Sequence, residues 1–139
     1  MKYCVVACLL LGLSLPIFAD TQVRLKSDYN LKQTVIRYIQ ALKQDGVPVL
    51  AQKVMKNAQG QKIVFTNPLF GTTLGRCNKS VRKDQPLIAT VERDANGFIW
   101  LSYDEPEAQI NDFGVIQCGH ETDNMRRALQ KYADRATSH

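Results

Sequence analysis

The alternation of apolar and polar positions marks the first elements of the chain after residue 20. Residues 23–26 alternate as in a half-buried strand. An apolar stripe with helical spacing follows, formed by Leu31, Val35, Tyr38, Ile39 and Leu42. Asn30 stands before this stripe as a capping residue with Gln33 three positions later, and Gly46 stands where helices commonly end. The pattern therefore predicts a strand followed by an amphipathic helix.

Four further apolar runs predict strands arranged as two hairpins. The first pair covers residues 47–55 and 62–66, on either side of a polar turn that contains Gly60. The second pair covers residues 86–91 and 98–103 and flanks the turn 94–97, whose Asn-Gly pair is a strong hairpin signal. Between the two hairpins, residues 69–75 are rich in Gly and Thr, and we expect them to form a loop.

Two helices are predicted after the last strand. Asp104 and Pro106 are typical of a helix start, and a short helix would extend to about residue 113. Residues 122–137 form the final helix, with an apolar face made of Met125, Leu129, Tyr132, Ala133 and Ala136. Leaving the short helix aside, the order is β-α-β-β-β-β-α. It predicts one α+β domain over residues 20–139, a mainly antiparallel curved sheet with helices packed on one face.

The first 19 residues have the pattern of a secretory signal peptide. Lys2 gives a basic start, residues 3–18 are almost wholly apolar, and Ala19 precedes Asp20. The alternative, a transmembrane anchor, needs roughly 20 apolar residues, more than this run offers. Cys4 and Cys8 lie inside the apolar run, too early for a lipoprotein anchor. We therefore expect cleavage after Ala19 and a periplasmic or secreted protein that is not inserted in a membrane once the signal is removed.

Composition narrows the class of protein. The chain has 139 residues, 45% of them hydrophobic, which favours one globular domain and excludes a mostly disordered chain. The formal net charge of +5 is small, and the basic residues are scattered along the chain. An exported protein with this charge is not expected to bind nucleic acid.

Two cysteines remain after signal cleavage, Cys77 and Cys118. An even pair in an oxidising compartment predicts a disulfide bond. The alternative is a redox-active pair of thiols. Cys118 and His120 are too few ligands for a zinc site, so no metal is expected, and no motif calls for a cofactor.

A long stretch of the chain resembles the domain of unknown function 302 (DUF302) family. The stretch begins with Ile-Val-Phe-Thr-Asn-Pro-Leu-Phe-Gly-Thr-Thr-Leu at residues 63–74 and Gln-Pro-Leu at 85–87. It continues with Asp-Ala-Asn-Gly-Phe-Ile-Trp-Leu-Ser-Tyr-Asp-Glu-Pro at residues 94–106. The resemblance covers roughly residues 23–137. It implies the β-α-β-β-β-β-α fold, similar to the TATA-box-binding-protein-like architecture, and it implies no known reaction.

The chain departs from that family at several positions. Residues 52–56 contain no His, where members often carry an Asp-His pair, so no role of that pair is carried over. A short turn at Gly60 replaces a helical insert, and Thr73 stands where Pro is common. Residues 76–84 are also more basic than expected.

The Gly/Thr-rich segment and its flanks are the first candidate ligand site. Gly71 permits a close backbone approach, while the hydroxyls of Thr72 and Thr73 can hold an oxyanion. Asn67 belongs to the same candidate anion site, and Arg76 and Lys79 would supply its positive charge. The competing interpretation is a structural turn, in which Asn and Pro end a strand and Gly takes a positive φ. The glycine spacing does not match a phosphate-binding P-loop.

Aromatic and acidic residues of the last hairpin give weaker candidates. Trp100 and Tyr103 are three apart and should face opposite sides of the sheet, with Tyr103 on the side of Ile99 and Leu101. Tyr103 is a candidate lining for a pocket between sheet and helix, and core packing is the alternative. Asp104 and Glu105 could form an acid–base pair, although helix capping accounts for them better. No nucleophile motif is present, so we assign no catalytic residue.

These observations favour a non-enzymatic, exported binding module for an unidentified small ligand or protein partner. A homodimer through an exposed strand edge is one form that such a module can take. The alternative from another class is a redox protein or small enzyme that uses Cys77 and Cys118. A purely structural dimer without ligand is a third hypothesis.

Overall fold

A computed structural model describes residues 22–77, 85–106 and 119–139 of the chain. Within these ranges the strands are β1 (Gln22–Lys26), β2 (Val49–Val54), β3 (Gly60–Phe65), β4 (Leu87–Arg93) and β5 (Ile99–Asp104). The helices are α1 (Leu31–Gln44), α2 (Pro68–Cys77) and α3 (Gly119–Thr137). A 3₁₀ turn at Lys56–Ala58 joins β2 to β3. The predicted strands and the two long helices are all present, with ends that differ by up to three residues.

The five strands form one sheet in the order β1-β5-β4-β3-β2, and each neighbouring pair is antiparallel. β1 therefore lies beside the last strand of the chain, so β1 and β2 are the two edges. The predicted α+β class with an antiparallel sheet is confirmed. The register places Val23 and Ala89 on either side of Tyr103, so all three share one face of the sheet.

The hydrophobic core lies between that face of the sheet and the helices α1 and α3. Ile63, Ala89 and Leu101 are fully buried on the sheet side. Tyr38, Leu42, Leu129 and Tyr132 are buried on the helix side, at positions of the two predicted apolar stripes. The opposite face of the sheet carries exposed polar and apolar side chains, among them Arg24, Lys26, Lys62 and Ile88.

The two ends of α1 form as the sequence predicts. The side chain of Asn30 accepts a hydrogen bond from the backbone N–H of Gln33 at 2.8 Å, which satisfies one free donor of the first turn. After the helix, Gly46 takes a φ of +68° that L-residues rarely adopt, and its N–H donates to the carbonyl of Lys43. The chain can thus turn directly into β2.

The predicted loop at residues 69–75 is wrong, because the structure forms the helix α2 there. Asn67 precedes this helix and its side-chain oxygen accepts the N–H of Leu69 at 3.1 Å, while Pro68 occupies the first helical position. Two glycines inside a helix cost about 1 kcal/mol each relative to Ala. Tertiary packing offsets this cost, since Phe70 packs against the core and α2 contacts α3.

Three other predictions concern residues that lie wholly or partly outside the described ranges. Pro106 is buried and helical, but the rest of the predicted short helix, residues 107–113, is not described. The predicted signal peptide, residues 1–19, and Cys118 also lie outside the described ranges.

Candidate functional site

The residues predicted as an anion site lie on or next to α2. Gly71, Thr72, Thr73 and Arg76 are within the helix, and Asn67 immediately precedes it. Thr72 is half-buried and Arg76 is exposed. The side-chain oxygen of Asn67 is already engaged with the N–H of Leu69, so it stabilises the start of the helix. The structure therefore places these residues on successive turns of a helix rather than around a loop.

Tyr103 lies in the core, with 4% of its surface exposed. Trp100 is on the other face of the sheet, as the alternation predicts. Burial, with smaller contributions from the nearby carboxylates of Glu105 and Asp134, raises the pKa of Tyr103 to about 12. The hydroxyl is therefore neutral at physiological pH and does not act as a base.

Two more tyrosines are buried in the same core. Tyr38 is completely buried, and its hydroxyl has no hydrogen-bond partner among the described residues. Burial raises the pKa of Tyr38 well above its usual range. Tyr103 and Tyr132 add to this shift, because a deprotonated Tyr38 would be repelled by either of them in its deprotonated form. Tyr38 also contacts Phe65 edge-to-face, with ring centroids 5.9 Å apart.

Tyr132 connects this core to the start of α2. Burial, followed by a hydrogen bond with Asp45, raises the pKa of Tyr132 to about 12, and a hydrogen bond with Asn67 partly opposes this shift. Asp45 in turn pairs with Lys131, and that contact lowers the pKa of the Asp45 carboxyl. Of the predicted site residues, Asn67 is thus joined to the core tyrosines through Tyr132.

A solvent-open groove between α1 and α3 is a concave feature of the described part of the chain. Its volume is about 510 Å³, within the range of small-molecule sites. The two helices run antiparallel, since Arg37 contacts Ser138 whereas Gln44 contacts Arg135. The groove is lined by Arg37, Gln40, Ala41, Gln44, Asp134, Arg135, Ser138 and His139.

Arg37 is held in place at one end of this groove. Its guanidinium carbon lies 4.1 Å from the centre of the Tyr29 ring, and its Nη2 donates to the carbonyl of Ser138 at 3.3 Å. The Tyr29 hydroxyl in turn hydrogen-bonds Nδ1 of His139 at 3.0 Å. The Nε of Arg37 is buried and has no partner among the described residues. A stacked, partly desolvated guanidinium of this kind is fixed before any ligand arrives.

The other end of the groove is polar and carries both signs of charge. Nη1 of Arg135 donates to the side-chain oxygen of Gln44 at 3.0 Å, which leaves the amide N–H₂ of Gln44 as a donor. Asp134 is the one acidic side chain among the described residues that line the groove. Neither Arg37 nor Arg135 forms an ion pair within the described ranges. The groove can therefore accept a small polar molecule with a negative group.

The residues that line this groove were not predicted from the sequence. On α1, Arg37, Gln40 and Gln44 recur at helical spacing beside the buried stripe, and Asp134 and Ser138 do the same on α3. That spacing was the available signal, because it predicts one polar face on each helix. Only the packing of α1 against α3 turns the two faces into one groove.

Three further findings bear on the alternatives. Cys77 is the last residue of α2, but the pairing with Cys118 falls outside the described residues. Within the described ranges, no three His, Cys, Asp or Glu side chains come together as a metal site. No helix in those ranges is long and apolar enough to cross a membrane.

Comparison with solved structures shows what this fold is similar to. The crystal structure of an uncharacterised conserved DUF302 protein from Bacillus stearothermophilus matches with a TM-score of 0.73 and 17% sequence identity. The match covers 85% of this chain and 99% of that one. No protein-family model matches the sequence, and no curated protein matches it. The likeness confirms the predicted DUF302-like fold.

Proposed function

We propose that this DUF302-like fold serves as an exported, non-enzymatic binding module whose small ligand occupies the groove between α1 and α3. The observation that carries the proposal is the placement of Arg37, stacked on Tyr29 and hydrogen-bonded to Ser138 at the groove wall. A side chain fixed in this way loses little conformational freedom when a ligand binds, so more of the interaction energy contributes to affinity.

The proposal that a ligand occupies the groove can be tested by filling the groove with a large side chain. Gln40 is exposed on α1 and lines the groove, so Gln40→Trp would occupy the space with little effect on the core. Gln33 is also exposed on α1 but does not line the groove, and Gln33→Trp is the matched control. Native mass spectrometry of protein purified from the periplasm should show a non-covalent ligand on the wild type and on Gln33→Trp, but not on Gln40→Trp. Equal ligand occupancy in all three proteins, or none in the wild type, contradicts the proposal.

The set predicted from the sequence, Asn67, Gly71, Thr72, Thr73, Arg76 and Tyr103, remains a second candidate site for the same function. Thr72 and Arg76 lie one turn apart on α2 and are not fully buried. Thr72→Ala combined with Arg76→Ala should then lower the affinity for the co-purified ligand while the melting temperature changes little. Loss of stability with unchanged affinity would assign these residues to the scaffold.

Export and the cysteine pair belong to the same proposal. The intact mass of protein from the periplasm or medium should correspond to a chain that begins at Asp20.

Thiol titration of the unreduced, denatured protein should find no free thiol if Cys77 and Cys118 are bonded. Two free thiols of low pKa would favour the redox alternative.

We also propose that the protein forms a homodimer by pairing of the edge strand β2 with β2 of a second copy. Leu50 and Val54 on this edge are 56% and 70% exposed, respectively. The other edge, β1, carries two charged side chains, Arg24 and Lys26, whereas β2 carries one, Lys53, and charged side chains discourage strand pairing. Sedimentation should show a dimer for the wild type and a monomer for Leu50→Lys combined with Val54→Lys. A wild-type monomer at high micromolar concentration would exclude this assembly.

A further inference from the structure

We propose that the ligand of the groove carries a single carboxylate, which docks on the outer nitrogens of Arg37, with a neutral polar remainder extending toward Gln44. The proposal rests on the function proposed above and names the chemical class of the ligand.

The guanidinium of Arg37 has more donors than acceptors around it. It carries five N–H donors, and within the described residues only Nη2 has an acceptor, the carbonyl of Ser138. Nε is buried without an acceptor, and no carboxylate of the described chain pairs with the charge. A partly desolvated cation without a counter-charge is costly, and an anion at Nη1 and Nη2 lowers that cost.

The planar geometry of the site favours a carboxylate. Arg37 is fixed by the Tyr29 ring on one face, so its two outer nitrogens present a fork of fixed direction. Such a fork matches the two oxygens of a carboxylate. His139 lies at the same end of the groove, where its imidazole hydrogen-bonds the Tyr29 hydroxyl, and as the last residue of the sequence it also carries the terminal carboxylate, which does not pair with Arg37 within the described residues.

The rest of the groove selects against a second negative group. Gln44 lies seven residues from Arg37, about 10 Å along the helix at 1.5 Å per residue. Asp134 lines the groove and would repel a second carboxylate. Gln40 and the amide N–H₂ of Gln44 offer hydrogen bonds to neutral groups instead. The second negative charge of a phosphate dianion would be repelled by Asp134 in the same way.

The experiment titrates the protein with four probes at constant ionic strength and follows backbone amide chemical shifts. The probes are N-acetylglycine, its neutral amide N-acetylglycinamide, succinate and inorganic phosphate. We expect N-acetylglycine to bind most tightly, with shifts concentrated at the facing positions of α1 and α3. Arg37→Gln should weaken its binding at least tenfold, because a charge-assisted pair is lost. Arg127→Gln is the control, since Arg127 is exposed on α3, bonds Asn124 and does not line the groove.

The outcomes separate this inference from the proposed function. If the acid and its amide bind equally in the groove and Arg37→Gln changes neither, the carboxylate assignment is wrong while the groove remains a binding site. Tighter binding of succinate or phosphate would also overturn the assignment. If none of the probes binds and Gln40→Trp retains the co-purified ligand, the proposed function itself fails. Equal weakening by Arg37→Gln and Arg127→Gln would identify general charge attraction rather than a site.

Discussion

The indole Nε1 of Trp100 donates a hydrogen bond of 2.8 Å to the Asp94 carboxylate across the turn of the β4–β5 hairpin. The other carboxylate oxygen accepts the backbone N–H groups of Asn96 and Phe98, both at 2.9 Å. On its open side the Trp100 ring is covered by Arg24, whose guanidinium carbon lies 4.1 Å from the ring centre. One aspartate thus holds the turn and orients the only tryptophan of the chain.

The first prediction is that Asp94→Ala loosens this hairpin. The variant loses all three hydrogen bonds to the carboxylate, so its melting temperature should fall and the fluorescence of Trp100 should shift to longer wavelength as water reaches the indole. Asn96→Ala is the control, because Asn96 contributes only its backbone N–H to the carboxylate. Unchanged fluorescence and stability in Asp94→Ala would contradict the role assigned to Asp94.

The second prediction concerns acid stability. Hydrogen bonds, first from Trp100 and then from the backbone, hold the pKa of Asp94 below its usual range, and the contact with Lys131 does the same for Asp45. A carboxyl with a lowered folded pKa stabilises the fold above its unfolded pKa of about 3.9, and this contribution is lost as pH falls through the folded pKa. Urea unfolding followed by Trp100 fluorescence should show stability falling below about pH 4.

The same measurement on Asp45→Asn provides the check on this assignment, because that variant keeps Trp100 and its partner intact. Its stability should decline less steeply over the acid range than that of the wild type. An identical slope in the two proteins would mean that the Asp45–Lys131 contact does not contribute.

The third prediction separates two buried tyrosines by their hydroxyls. The hydroxyl of Tyr38 has no partner among the described residues, so Tyr38→Phe should be neutral or stabilise the fold by up to about 1 kcal/mol. The hydroxyl of Tyr132 interacts with Asp45 and Asn67, so Tyr132→Phe should destabilise by about 1 kcal/mol. Chemical denaturation of both variants measures the difference. A clear loss of stability in Tyr38→Phe would reveal a bound water or other partner at that hydroxyl.

The fourth prediction compares two glycines. A Cβ at Gly60 would lie 2.5 Å from the carbonyl oxygen of Val91 and 2.9 Å from Cβ of Glu92, where β3 pairs with β4. Gly60→Ala must therefore displace backbone, and we expect a loss of about 1–3 kcal/mol. Gly119, the first residue of α3, has nothing within 4 Å of the same position. Gly119→Ala should be neutral or slightly stabilising, and equal effects of the two changes would refute the close approach at Gly60.

The sequence by itself determined the elements whose signals are local. The stripe that includes Tyr38 and Leu42 requires one buried helix face, and Asn96 with Gly97 requires a tight turn, because both depend on side chains and dihedral angles of neighbouring residues. The order of such elements predicted an α+β domain with a mainly antiparallel sheet, and the DUF302-like fold was implied by the resemblance of residues 63–106 to that family. The opposite faces of Trp100 and Tyr103 also followed, since side chains alternate along a strand.

Only the tertiary structure decided the features that depend on residues far apart in the chain. Local composition favours a loop around Gly71 and Gly75, and the contact of α2 with α3 makes a helix there instead. The groove likewise needs Arg37 and Ser138 to meet, although about a hundred residues separate them. No local sequence pattern predicts this contact. It arises because α1 and α3 both bury their apolar faces on one sheet, which brings the polar residues beside those faces next to each other.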